Sequence, residues 1–115
     1  MKKNNTMKLI IGLFIAMAIV AFTPMSHAAD GKVVYGDSCA KCHGDDGKGA
    51  TKMGAKLGAR DYTDAKVQAS LTDADATKAI KDGLKKDDKT LMKPFSDLSD
   101  ADVAAVIAYM RTFKQ

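Results

Sequence analysis

Along residues 99–113 the apolar positions recur at intervals of three and four. Val103, Val106, Ile107, Met110 and Phe113 form one stripe, which predicts an amphipathic helix from Ser99 to Phe113. A second helical pattern runs from Thr72 to Leu84, with Ala76, Ala79 and Ile80 at helical spacing and Gly83 near its end. A third, Asp30 to Ala40, holds Val33, Val34 and Tyr35 and is weakened by Gly31 and Gly36. The two stronger helices open on the same phrase, Leu71-Thr72-Asp73-Ala74-Asp75 and Leu98-Ser99-Asp100-Ala101-Asp102. Each supplies a hydroxyl N-cap, an Asp three residues on as in a capping box, and acids that the helix dipole favours. Leu98 and Val103 also stand where a hydrophobic staple would place them. Shared start chemistry explains the repeat more simply than a duplication. Nowhere do apolar and polar residues alternate as in a strand, so the expected fold class is all-α. Of the connections, Gly44 to Gly58 holds five Gly in 15 residues and must wrap around something to be ordered. Lys85-Lys86-Asp87-Asp88-Lys89 reads as a solvated turn leading into Leu91-Met92-Lys93-Pro94-Phe95.

The N-terminal block is of another kind. Lys2, Lys3 and Lys8 precede an uncharged apolar run of 14 residues, Leu9 to Phe22, and small residues follow at Ser26 and Ala28. This is the pattern of a secretory signal peptide, residues 1–28, cleaved before Ala29. The run is shorter than the roughly 20 residues that span a bilayer comfortably, and neither Cys lies near the cut to accept a lipid. One domain, residues 29–115, is expected to remain, with no membrane attachment. The whole chain carries 18 Lys plus Arg against 14 Asp plus Glu, a net charge of +4. Cleavage would remove three of those Lys and leave a balance of +1, so a nucleic-acid partner loses its support. A single domain of this length also excludes a multidomain enzyme with a large substrate cleft.

Chemistry concentrates in Cys39-Ala40-Lys41-Cys42-His43. The Cys-x-x-Cys-His pattern marks covalent attachment of a c-type haem. Two Cys three apart lie about one helical turn apart and can reach the two vinyl groups of one porphyrin as thioethers. His43 then lies under the ring, with an imidazole nitrogen for the iron. A structural disulfide would leave His43 and the Gly-rich loop without a task. A thioredoxin-type pair expects strands around it. Zinc wants about four ligands, and the processed chain offers two Cys and one His.

One His cannot fill both axial positions of the iron. A Met thioether is the soft ligand that completes an electron-transfer site of raised potential. Three Met remain after cleavage. Met110 lies on the apolar stripe and reads as core. Met53 follows His43 by ten residues, on the proximal side, from which the opposite face is awkward to reach. Met92 ends a loop that Pro94 stiffens. Elimination favours Met92, with Met53 as the alternative and a core Met under a loop as the plain reading of Met92.

With these motifs in hand, the chain resembles the small class I monohaem cytochromes c of the bacterial periplasm. The likeness rests on Gly31-x-x-x-Tyr35, Cys39-x-x-Cys42-His43-Gly44, Gly47-x-Gly49, Met92-x-Pro94-Phe95 and the terminal Ala108-Tyr109 helix, all in the family's order. It implies short helices and loops wrapped around one covalently attached haem c, with first and last helices crossing near Gly31, Tyr35 and Tyr109. It implies thioethers from Cys39 and Cys42, iron ligated by His43 and Met92, and no catalytic residues. The expected protein is a monomeric periplasmic electron carrier, meeting other redox proteins transiently. Leu57, Tyr62, Leu71, Ile80, Leu84, Leu91 and Phe95 are candidate haem-pocket or core residues, and Tyr62 or Arg60 a candidate propionate donor. Lys41, Lys48, Lys52, Lys56, Lys89 and Lys93 would border the haem, diluted by Asp45, Asp46 and Asp88. The chain departs from the family at Gly54-Ala55-Lys56-Leu57, where members often carry Gly-Pro-x-Leu and use the Pro carbonyl to accept the imidazole N–H. Two other functions stay open: a cytochrome subunit of a periplasmic oxidoreductase, and a five-coordinate haem protein that binds small gases or peroxide.

Overall fold

The structure, a computed structural model, describes residues 29–115 together with residues 19 and 21. The signal-peptide reading otherwise falls outside the described residues. Among the described residues six helices and one hairpin follow in order: α1 Gly31–Ser38, α2 Ala40–His43, α3 Lys52–Leu57, α4 Ala65–Ser70, α5 Asp73–Asp82, β1 Leu84–Lys86, β2 Lys89–Met92 and α6 Asp100–Arg111. No helix among the described residues is long and apolar enough to cross a membrane.

Side-chain caps start most of these helices. Asp30 accepts from the Lys32 N–H, Thr51 from Gly54, Asp64 from Lys66 and Val67, and Thr72 from Asp75. At α6 the full capping box forms: Ser99 accepts from the Asp102 N–H, and the Asp102 carboxylate accepts from the Ser99 N–H. Such caps satisfy backbone donors that the first helical turn leaves without partners.

The long last helix organises the interior. Val103, Ile107 and Met110 pack with Ala76 of α5, while Val106 turns towards Val34 and Tyr35 of α1. The predicted stripe is therefore wide enough to serve two neighbours at once. Ile80, Leu98 and Phe113 touch both clusters. At the α1–α6 crossing the backbones meet closely: a Cβ on Gly31 would run into the Ala105 carbonyl and lie 3.2 Å from the Tyr109 Cβ. Beside it three aromatic rings close a triangle. Ring centroids are 5.4 Å apart for Tyr35–Tyr109, 5.1 Å for Tyr35–Phe113 and 5.2 Å for Tyr109–Phe113, spacings at which tilted aromatic pairs attract.

The hairpin corrects the expectation of no strand. Leu84 pairs with Met92, Lys85 with Thr90 and Lys86 with Lys89, so the solvated turn at 85–89 is the tip of an antiparallel pair. Asp87 and Asp88 connect the strands with φ of 50° and 63°, the left-handed conformation at both centres that a two-residue hairpin turn requires. Asp tolerates it better than most residues. Charged side chains on β1 and the start of β2 leave both strands largely exposed, which erased any alternation from the sequence.

Candidate functional site

Cys39, Cys42 and His43 are delivered by the join of α1 and α2. The Cys39 N–H donates to the Tyr35 carbonyl (2.8 Å) and the His43 N–H to the Cys39 carbonyl (3.0 Å), so a helical turn separates the two thiols. Both are free and half-buried. Burial, reinforced by the neighbouring Cys42, pushes the Cys39 thiol up to about 11. That is the reverse of a reactive Cys-x-x-Cys pair, whose attacking thiol is held low. Among the described residues no three His, Cys, Asp or Glu converge into a metal-holding group.

The Gly-rich segment has a definite task. It ties off two carbonyls of the motif: Thr51 Oγ1 donates to the Cys42 carbonyl (2.6 Å) and the Gly49 N–H to the His43 carbonyl (2.8 Å). From α1 the buried Tyr35 hydroxyl donates to the carbonyl of Gly44, where the segment begins (2.7 Å). Part of the segment is helical as α3. Ala55, at the position where the resemblance leads one to expect Pro, keeps an N–H that donates to the Thr51 carbonyl at 2.8 Å. Proline could not make that bond.

The His43 imidazole is held without a hydrogen bond. Its Nδ1 is buried with no partner, and burial lowers the pKa of the ring below the usual histidine value, favouring the neutral form that a metal ligand needs. One face rests on Tyr62, with centroids 5.2 Å apart and planes 25° from parallel. Tyr62, a candidate propionate donor from sequence, thus lies against the proximal histidine; burial raises its hydroxyl pKa.

The three methionines separate clearly. Met110 is buried in the α5–α6 cluster at 7 % exposure, and Met53 is 40 % exposed on the surface, where Lys41, Lys52 and Lys56 flank it. Met92 is half-buried at the end of β2. Its strap lies against Gly83 at φ +75°, where a Cβ would sit 2.6 Å from the Met92 carbonyl and 2.9 Å from the Pro94 nitrogen. Only glycine accommodates both the conformation and the approach. Beyond it the Phe95 N–H donates to the Ile80 carbonyl at 2.8 Å, so α5 anchors the segment that presents Met92.

Of the candidate pocket residues, Tyr62, Leu71 and Ile80 pack on the core, whereas Leu84 is 48 % exposed. Leu57, Leu91, Met92 and Phe95 are half-buried yet join neither core cluster. This residue set fits a covalently attached haem. It offers two thiols a helical turn apart, a buried imidazole whose charged form burial disfavours, and apolar side chains that a flat macrocycle would cover. Sequence reasoning missed Gln68 and Arg111, whose bonds span more than 40 residues of chain and leave no periodic signal.

Comparison with known proteins agrees with this geometry. A family model described as cytochrome c matches residues 28–114. Among solved structures, the KustC0563 c-type cytochrome is 34% identical with a TM-score of 0.65, the match covering 76% of this chain and 100% of that one. A mutant of Kustc0563 is 33% identical with a TM-score of 0.63, covering 75% of this chain and 100% of that one.

Proposed function

The chain belongs to the cytochrome c family of haem-based electron carriers, and on that premise we propose that it is an exported periplasmic carrier with one haem c on Cys39 and Cys42 and its iron between His43 and Met92. The observation that carries this reading is the turn at the start of α2, with two free thiols and a buried imidazole in five consecutive residues. When bound, the haem supplies an iron that accepts and releases one electron. The residues around it do the rest. Two thioethers would fix the ring, and His43 and Met92 would hold the iron in both oxidation states and leave no position for a substrate. A Met thioether paired with His would favour the ferrous state and raise the potential. Burial of Met110 and the surface position of Met53 support Met92 as the second ligand.

Lys41, Lys52 and Lys56 surround Met53 with no acid among them, beside the Cys42 end of the motif. This patch suits an acidic face on a redox partner, met through a small transient interface while the carrier itself stays monomeric. Processing before Ala29 is supported by two features. The family match begins at residue 28, and the Ala29 N–H donates to the Asp102 Oδ1 at 2.8 Å, so a freed α-ammonium would meet a carboxylate.

Intact mass and an absorption spectrum of the protein isolated from its own compartment test the proposal. The expected result is residues 29–115 plus one haem, with the weak ferric charge-transfer band that Met ligation gives near the red edge of the visible. Ready binding of carbon monoxide by a wild type lacking that band would replace the carrier by an open-iron protein. A mass that retains residues 1–28 would make it a tethered one.

A further inference from the structure

Gln68 is the one buried polar residue by overall exposure among the described residues, at 6 %. An amide taken out of water is costly unless each of its groups finds a partner. Here they do. Nε2 donates to the Tyr62 carbonyl (2.7 Å) and to the Met110 carbonyl (3.1 Å), while Oε1 accepts from Arg111 Nη1 (2.8 Å). Arg111 in turn donates to the Gln68 and Leu71 carbonyls (3.0 and 2.6 Å) and reaches Asp73 (2.7 Å).

The network ends on Tyr62. Its N–H donates to the Gly47 carbonyl at 2.8 Å and its carbonyl is taken by Gln68, so the backbone is clamped on both sides of the residue whose ring lies on His43. In c-type sites the rotation of the imidazole is ordinarily set by a hydrogen bond to its outer nitrogen. In this chain Nδ1 has no such partner, and the Tyr62 face is the aromatic contact against the ring. We propose that Gln68, through Tyr62, is the positioning residue that fixes the rotational setting of the His43 imidazole and thereby tunes the iron. The proposal rests on the reading of His43 as an axial ligand.

The test uses the haem-loaded protein and three variants. Gln68→Glu keeps the size and the Arg111 pairing but cannot donate to Tyr62 or Met110. Gln68→Ala removes the side chain, and Tyr62→Leu removes the ring while leaving its backbone clamped. Proton NMR of the ferric form reads the spread of the hyperfine-shifted haem methyl signals, which follows the orientation of the imidazole plane and not global stability. All three variants should rearrange that pattern and shift the reduction potential. Gln68→Glu combined with Tyr62→Leu should change it no further than Tyr62→Leu alone, since both act through one contact. Gln68 variants that only lower the melting temperature, or an unmoved pattern in Tyr62→Leu, overturn the proposal; the latter holds even if a Gln68 variant fails to fold. The ligand reading is judged separately on the wild type. Ferric spectra without an imidazole-ligated iron would remove it, whereas imidazole signals that the variants leave in place sink only the role of Gln68.

Discussion

The α1–α6 crossing and the strap from Gly83 to Phe95 are built on opposite terms. At the crossing, Val34, Tyr35 and Val106 are almost wholly buried, and three aromatic rings and a glycine close-contact fit chain against chain. Along the strap, Leu84 is 48 % exposed, and Leu91, Met92 and Phe95 are half-buried without joining a cluster. One region finds its complement in amino acids. The other leaves apolar side chains and a thioether half-buried outside either core cluster, as the proposed haem would require. A domain this small has little core to spare, so on that proposal the strap draws its stability from the haem, and the crossing does not hold the fold alone.

Removing the covalent anchors puts the difference between the two regions to its hardest test. Cys39→Ala with Cys42→Ala should abolish stable haem loading and leave the chain largely unfolded, because binding to the native state alone supplies the missing stability. Far-ultraviolet circular dichroism reads the outcome. Native-like helicity in the haem-free variant would mean that the crossing folds unaided.

Next in size is Met92→Ala. It should eliminate the ferric charge-transfer band, lower the reduction potential and open the iron to carbon monoxide. Met53→Ala should change none of these. Met110→Ala should keep the band while costing about 2–5 kcal/mol of stability, as cavities in well-packed cores do. If the band instead follows Met53, the strap is ordinary surface and the contrast between the two regions fails.

Gly31→Ala tests the other region. The new methyl meets the Ala105 carbonyl, and the helices must part to admit it, at about 1–3 kcal/mol for overpacking. Denaturant unfolding should show that loss, while the charge-transfer band stays in place. A loss of the band would show the two regions to be coupled tightly.

The crossing was far more legible in sequence than the strap. Val103, Val106, Ile107 and Met110 announce α6 by spacing alone, and Thr72 and Ser99 announce their helix starts, because both signals are local. Cys39, Cys42 and His43 are legible for a different reason: the chemistry demands a fixed spacing. The hairpin was not legible, since Lys85, Lys86 and Lys89 face solvent and Asp87-Asp88 lacks the glycine that usually marks such a turn. Helices α3 and α4 are each six residues long, too short for periodicity and held by caps and tertiary contacts. Met92 could be reached only by elimination. The Gln68–Arg111 network and the Tyr62–His43 stack lie beyond local patterns, because they join residues far apart in sequence.

The smallest expected effect concerns how the crossing is entered. Asp102 accepts from the Ala29 N–H at 2.8 Å and closes the capping box with Ser99, and these bonds, Ala29's first, hold its carboxyl below the ordinary aspartate value of 3.8. A carboxyl whose folded pKa lies below its unfolded one stabilises the fold above the unfolded value. The contribution fades as pH falls through the folded one. Asp102→Asn keeps an acceptor for the neighbouring N–H groups but removes the charge that favours a helix start and a nearby ammonium. Its melting temperature should therefore sit slightly below wild type at pH 7, and the gap should close below about pH 3.8. The partial exposure of Asp102 and solvent screening keep the gap small, and added salt should narrow it at pH 7. The gap should also shrink in protein whose N-terminus is extended past Ala29, because only a free α-amino group carries the charge that Asp102 answers. An equal gap in processed and extended forms would reduce Asp102 to a helix cap and leave the cut site without a structural role.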